Sequence, residues 1–144
     1  MNSSLTPNFK YKKVLVIDDN EIDRYICDRI SKTFRLSEVV VGVESATEGL
    51  DYLFSLEKTP DELPELIFLD INMPGMNGFE FLEAYKGLPE VIKKTCIIVM
   101  LTSSNVDQTR INGNAYVKGY LNKPLTQGKI DDILKPQINM DSIG

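Results

Sequence analysis

The sequence predicts an α/β domain, a doubly wound sandwich in which helices pack around a parallel sheet of five strands. Three observations carry this expectation. Leu66, Ile67, Phe68 and Leu69 are apolar without alternation, the pattern of a strand buried on both faces. Further short apolar runs, KVLVI at 13–17, CIIVML at 96–101 and GYL at 119–121, alternate with longer stretches, most of which have helical spacing. Each run ends in polar groups: Asp70 in one case, Asp18 and Asp19 in another, then Thr102, Ser103 and Ser104, then Asn122, Lys123 and Pro124. Parallel strands bring such ends to one edge of the sheet, where open α/β folds bind ligands. Three carboxylates, a hydroxyl and an ammonium would then converge on one crevice.

Residues 1–12 are polar and turn-rich, so the sheet is expected to begin at Lys13. After Asp18 and Asp19, Asn20 is placed to cap a helix. Its apolar positions Ile22, Ile26, Ile30 and Phe34 recur every four residues and are expected to face the sheet. The acid pair would lie in the strand-to-helix turn. Val39, Val40, Val41 and Val43 form a β-branched second strand, and Ser45 with Glu48 reads as a capping box for a helix with Ala46, Leu50, Leu53 and Phe54 inward.

The charged, proline-broken stretch KTPDELPE at 58–65 leads back to the central strand. Beyond Asp70, the close succession of Pro74, Gly75, Asn77 and Gly78 marks a tight loop. Phe79, Leu82, Tyr85 and Leu88 have helical spacing, with Pro89 as a stop. Asn105 is a candidate cap for the next helix, although QTRINGNAYVKG at 108–119 has little apolar periodicity. After Lys123 and Pro124, a final helix carries Leu125, Ile130, Ile133 and Leu134 and stops near Pro136.

The 144 residues, 42% of them hydrophobic, suffice for one domain with a real core and are too few for two of ordinary size. A net charge of -5 without a long basic run argues against nucleic acid as a direct partner. The absence of histidine removes Ser-His-Asp and Cys-His machinery and the usual zinc ligand sets, which leaves a carboxylate or a hydroxyl as nucleophile. Cys27 and Cys96 show no metal or disulfide spacing and read as buried thiols. The first residues lack the apolar core of a signal peptide and no stretch approaches the length of a membrane helix. The expectation is a cytoplasmic protein without membrane insertion.

Taken together, VLVIDDN, LIFLDINMPGMNGFE, IIVMLTSS and GYLNKPL resemble the receiver domain of two-component response regulators, the CheY-like superfamily, over residues 11–134. The resemblance implies a flavodoxin-like strand order 2-1-3-4-5 with helices on both faces. It implies a flexible segment at 1–10, a receiver domain at 11–135 and a tail at 136–144, as in a stand-alone single-domain response regulator of a phosphorelay. Asp70 would accept a phosphoryl group from a sensor histidine kinase or a histidine phosphotransfer protein. Asp18, Asp19 and Asp70, with the backbone carbonyl of Asn72, would hold Mg²⁺. Thr102 and Lys123 would bind the phosphoryl group, and Thr102 with Tyr120 would form the switch that alters binding to a downstream protein. Asn72 and Ser104 match positions that tune phosphoryl lifetime. The sequence departs from the family pattern at 105–118, which carries Asn112, Gly113 and Asn114 in place of an alanine-rich helix and a Gly-Ala turn.

Each residue has a plainer reading. Asp18 and Asp19 could be charges at a helix N-terminus, Thr102 a strand-end hydroxyl, Lys123 a solvated cation and Tyr120 ordinary packing. The conjunction of the first four with Asp70 outweighs those readings; Tyr120 stands even between them. Two other functions stay open: a receiver-like interaction module that works without phosphorylation, and a haloacid-dehalogenase-like phosphatase. The latter places a second aspartate two positions after its nucleophile, where this chain has Asn72.

Overall fold

The computed structural model describes residues 8–103 and 114–135. Its strands are β1 Val14–Ile17, β2 Val40–Val43, β3 Leu66–Asp70, β4 Ile97–Thr102 and β5 Val117–Asn122. The helices are α1 Glu21–Thr33, α2 Ala46–Ser55, α3 Gly78–Tyr85, α4 Glu90–Thr95 and α5, which spans Gln127–Leu134, with a 3₁₀ turn at Pro60–Glu62. The sheet order is β2-β1-β3-β4-β5 and every pairing is parallel, as expected. The expected helix near Asn105, Ser104 and the tail from 136 lie outside the described residues.

Period-two alternation along the strands builds two cores. Leu15, Ile17, Ile67, Leu69, Ile98 and Met100 pack on one face with Leu53 of α2, Phe81, Leu82 and Tyr85 of α3, and Ile92 of α4. Val14, Val16, Leu66, Phe68, Val99 and Leu101 pack on the other with Cys27 of α1 and Ile130 and Leu134 of α5. Each large side chain removed from water contributes about 1.5–3 kcal/mol, so the buried central strands β1, β3 and β4 anchor the sheet. Among the described residues, no helix is long and apolar enough to cross a membrane.

Several local expectations are corrected. Ile22 and Ile26 are 69% and 37% exposed, and the sheet-facing residues of α1 are Cys27 and Ser31, with Ile30 partly buried. A spacing of four drifts by about 40° per step against 3.6 residues per turn, so the isoleucine stripe winds off the sheet toward the helix N-terminus. Phe54 of α2 is exposed for a similar reason, one position past the buried Leu53. In α3 the fully buried aromatics are Phe81 and Tyr85, whereas Phe79 is only partly buried. Pro89 ends no helix but precedes α4, which the sequence reading missed. The Ser45 hydroxyl accepts from the Glu48 amide, but the Glu48 carboxylate takes the amide of Glu44, so the reciprocal half of that capping box is displaced by one residue. A complete box forms instead at Asn77 and Glu80. Leu125 is buried ahead of α5, which Thr126 caps.

Candidate functional site

Strand ends define the site. Asp18 directly follows β1 and is fully buried; Asp19 beside it is exposed. The backbone amide of Asn20 donates to Asp18 Oδ1 at 2.9 Å, and the Asn20 side chain caps α1 by accepting from the amide of Asp23 at 3.0 Å. One turn serves both tasks, orienting the acid and starting the helix. Arg24 Nη1 donates to the carbonyl of Asp18 at 2.8 Å and ties α1 to the end of β1.

Asp70 is the last residue of β3 and is buried, and the register that pairs Ile17 with Leu69 sets it level with Asp18 on the neighbouring strand. The amide of Asn72 donates to Asp70 Oδ1 at 3.3 Å, and the Asn72 side chain is exposed. The loop returns at once: the amide of Gly78 donates to the carbonyl of Ile71 at 2.9 Å, with Gly75 at φ +76° supplying the left-handed turn between them. Thr102 ends β4 one residue beyond the Asp70–Leu101 pairing and is fully buried. The amide of Lys123 donates to the Thr102 carbonyl at 2.8 Å, which aligns the residue after β5 with the same edge.

The structure therefore brings Asp18, Asp19, Asp70, Thr102 and Lys123 to one sheet edge. Tyr120 lies further back on β5, opposite Met100, partly buried against the core that holds Phe81 and Tyr85. One carboxylate oxygen from each of Asp18, Asp19 and Asp70 can be chosen so that all three lie within 4.8 Å of one another. Three acids this close, two of them buried, repel one another, and a hard divalent cation fits such an all-oxygen set. Neither histidine nor cysteine contributes to the cluster, so the donors suit Mg²⁺ rather than a softer metal.

The electrostatics follow the geometry. Burial, then the neighbouring Asp18 charge, pushes the Asp70 carboxyl up to about 6, while Lys123 and the Asn72 amide pull it back and Asp19 adds a smaller upward push. Lys123 Nζ lies 2.9 Å from Asp18 Oδ2, 2.7 Å from Asp23 Oδ2 and 3.6 Å from Asp70 Oδ1. Burial alone would weaken the hold of that ammonium on its proton, but the hydrogen bonds to Asp23 and Asp18 and the charges of Asp70 and Asp18 outweigh it, and the net shift is upward.

Sequence reasoning missed Asp23, whose only signal was an acidic side chain in the first turn of α1, a common helix-dipole placement. Beside it, Asp23, Ile26, Cys27, Leu101, Ser103, Lys123, Pro124 and Leu125 line an open cleft of about 270 Å³. Burial, then the charge of Asp18, pushes the Cys27 thiol up to about 12, so it adds no nucleophile there.

A family model described as response regulator receiver domain matches residues 14–135. The chain is 35% identical over 131 residues to the two-component response regulator ARR17 of Arabidopsis thaliana, a match that covers 85% of this chain and 80% of that protein. It is 29% identical over 126 residues to hybrid signal transduction histidine kinase L of Dictyostelium discoideum, covering 85% of this chain but only 7% of the much longer relative. Against the two-component response regulator ORR1 of Oryza sativa subsp. indica it spans 54% of the relative's length. The crystal structure of a two component response regulator from Cytophaga hutchinsonii superposes with a TM-score of 0.79 at 30% identity, covering 86% of this chain and 94% of that one. With its five-stranded parallel order and the acids gathered at one edge, the chain belongs to the response regulator receiver domains, the signalling domains of two-component systems.

Proposed function

We propose that this chain is a phosphorylation switch: Asp70 takes a phosphoryl group from a phosphohistidine on a sensor histidine kinase or histidine phosphotransfer protein, and the change alters binding to a downstream protein. The observation that carries the reading is the approach of the Asp18, Asp19 and Asp70 carboxylates within 4.8 Å, with the Lys123 ammonium 3.6 Å from Asp70. The receiver unit is residues 11–135, and with such a donor it works in the cytoplasm.

The chemistry runs on the chain's own groups. An Asp70 carboxylate oxygen attacks phosphorus and forms an O–P bond. The donor's N–P bond breaks, and its electron pair stays on the imidazole nitrogen. Lys123, held beside Asp70 by the β5 ladder, neutralises charge on the transferring group as a compact point charge. Asp18, Asp19, Asp70 and the backbone carbonyl of Asn72 would hold Mg²⁺, which when bound offsets the repulsion between the acids and the incoming anion. Water later attacks phosphorus and releases inorganic phosphate and the free carboxylate. Thr102, at the end of β4, hydrogen-bonds the phosphoryl oxygen, and its movement lets Tyr120 repack on the edge strand, a shift between two packings.

The donor protein has a surface to meet. Ile22 and Tyr25 on the first turns of α1 are exposed at 69% and 63%, and Ile26 lines the cleft beside Lys123. Apolar side chains grouped next to a reactive site suit a protein partner better than solvent.

Incubation with acetyl phosphate and Mg²⁺ followed by intact mass measurement tests the reading. A single phosphate adduct on the wild type that requires Mg²⁺, is labile to hydroxylamine and is missing from Asp70→Asn supports it. A folded wild type that forms no adduct, with hydrolysis shown too slow to hide one, favours an interaction module that works without phosphorylation.

A further inference from the structure

We infer that Asp23 is a positioning residue that holds the Lys123 ammonium back from the Asp70 carboxylate and so sets how readily Lys123 can meet a phosphoryl group there. The inference rests on the phosphoacceptor reading above and adds to it a residue that the three-acid cluster leaves out.

The distances make the case. Lys123 Nζ is 2.7 Å from Asp23 Oδ2 and 2.9 Å from Asp18 Oδ2, both within charge-assisted hydrogen-bond range, whereas Asp70 Oδ1 stands at 3.6 Å. The ammonium is thus committed to two carboxylates and only near the third. Asp23 differs from Asp18 in where it sits. Asp18 belongs to the acid cluster and is fully buried, whereas Asp23 stands outside that cluster on α1, partly open to solvent.

Both ends of the Asp23–Lys123 pair are fixed. The amide of Asp23 donates to the Asn20 cap at 3.0 Å, which pins the first turn of α1. On the other side, the amide of Lys123 donates to Thr102, and Lys129 Nζ donates to the carbonyls of Asn122 and Pro124 at 3.0 and 2.9 Å, holding the loop after β5. With both backbones anchored, the four-carbon Lys123 stem is the part that moves. Two of its three N–H donors are engaged by Asp23 and Asp18, so Nζ must swing toward Asp70 to give a phosphoryl oxygen a close hydrogen bond, and the negative charge of Asp23 opposes that shift. Once the group is in place, Asp23 competes with it for the same cation.

Two measurements test this. The first is the initial rate of adduct formation from acetyl phosphate with Mg²⁺ for wild type, Asp23→Asn and Asp23→Glu. Asp23→Asn keeps the shape and loses the charge, and uptake should rise about three- to tenfold; Asp23→Glu restores the charge and should fall nearer the wild type. The second is lysine side-chain NMR of the Lys123 ammonium without any phosphodonor. Asp23→Asn should speed its hydrogen exchange with water and move its resonance, an effect that a role for Asp23 confined to the first turn of α1 would not produce; the rise in uptake separates a positioning role from a merely structural ion pair. Uptake that is unchanged or slower in a folded Asp23→Asn protein overturns the inference, as does an unmoved Lys123 resonance. A wild type that forms no adduct removes the phosphoacceptor reading and this inference with it, whereas a wild-type adduct with no Asp23 effect removes the inference alone.

Discussion

A Cβ placed on Gly78 would lie 2.9 Å from the backbone carbonyl oxygen of Asp70 and 2.9 Å from the Cα of Ile71. Both neighbours are main chain, so neither can step aside as a flexible side chain would. The loop after β3 folds back on the strand that bears Asp70, and glycine permits that approach. Gly78→Ala should therefore destabilise the protein by about 1–3 kcal/mol, read as a lower urea midpoint with an unchanged slope. A variant as stable as the wild type would show that the backbone relaxes there at no cost.

Stability without divalent cations should depend on pH through Asp70. Its carboxyl is raised to about 6 in the folded state, so between about pH 4 and pH 6 the folded protein keeps a proton that the unfolded chain has released. Stability from this group falls as pH rises through that window and is level above it. Asp70→Asn lacks that slope and should be more stable than the wild type at pH 7 in EDTA. Urea titrations of both proteins from pH 4 to pH 8 measure the difference.

Asp19 is the exposed member of the acid cluster, with little packing to lose. Asp19→Asn should leave metal-free stability within about 0.5 kcal/mol while weakening Mg²⁺ binding about tenfold or more, because one charged oxygen donor is gone. Calorimetric titration with Mg²⁺, beside a thermal melt in EDTA, separates the two effects.

The exposed Ile22 should matter to a protein donor and not to a small one. Ile22→Ser is expected to slow phosphoryl transfer from a histidine phosphotransfer protein about fivefold or more, with uptake from acetyl phosphate and the melting temperature little changed. Equal slowing with both donors would place the effect in the site itself.

The central strands were legible because a strand buried on both faces must be apolar throughout, as Leu66, Ile67, Phe68 and Leu69 are; their order followed from the family resemblance and not from the apolar pattern. The site was legible for a related reason: polar residues at the ends of such strands have one sheet edge to occupy. Helix faces were harder. Ile22 is apolar but exposed, Ile26 reaches only the open cleft at the sheet edge, and the serine at position 31 is fully buried in their stead. Hydrophobic character alone therefore misplaced the inward side of α1. α4 escaped notice because six residues, EVIKKT, bury a single isoleucine and carry no periodic signal. Asp23 escaped because its partner Lys123 is 100 residues away in the sequence, and no local pattern announces so distant an ion pair.

The parallel register also decides where the crevice can stand. Asp70 shares its strand face with Leu66 and Phe68, and Leu69 sits between them on the opposite one. A slip of β3 by one residue against β1 and β4 would turn every side chain of the strand to the other face. The position of the Asp70 carboxylate at the sheet edge is thus set by how the apolar residues of β3 pack into the two cores. A substitution in the crevice alters one side chain, whereas a shift in the core beneath it moves the whole frame in which the crevice is built.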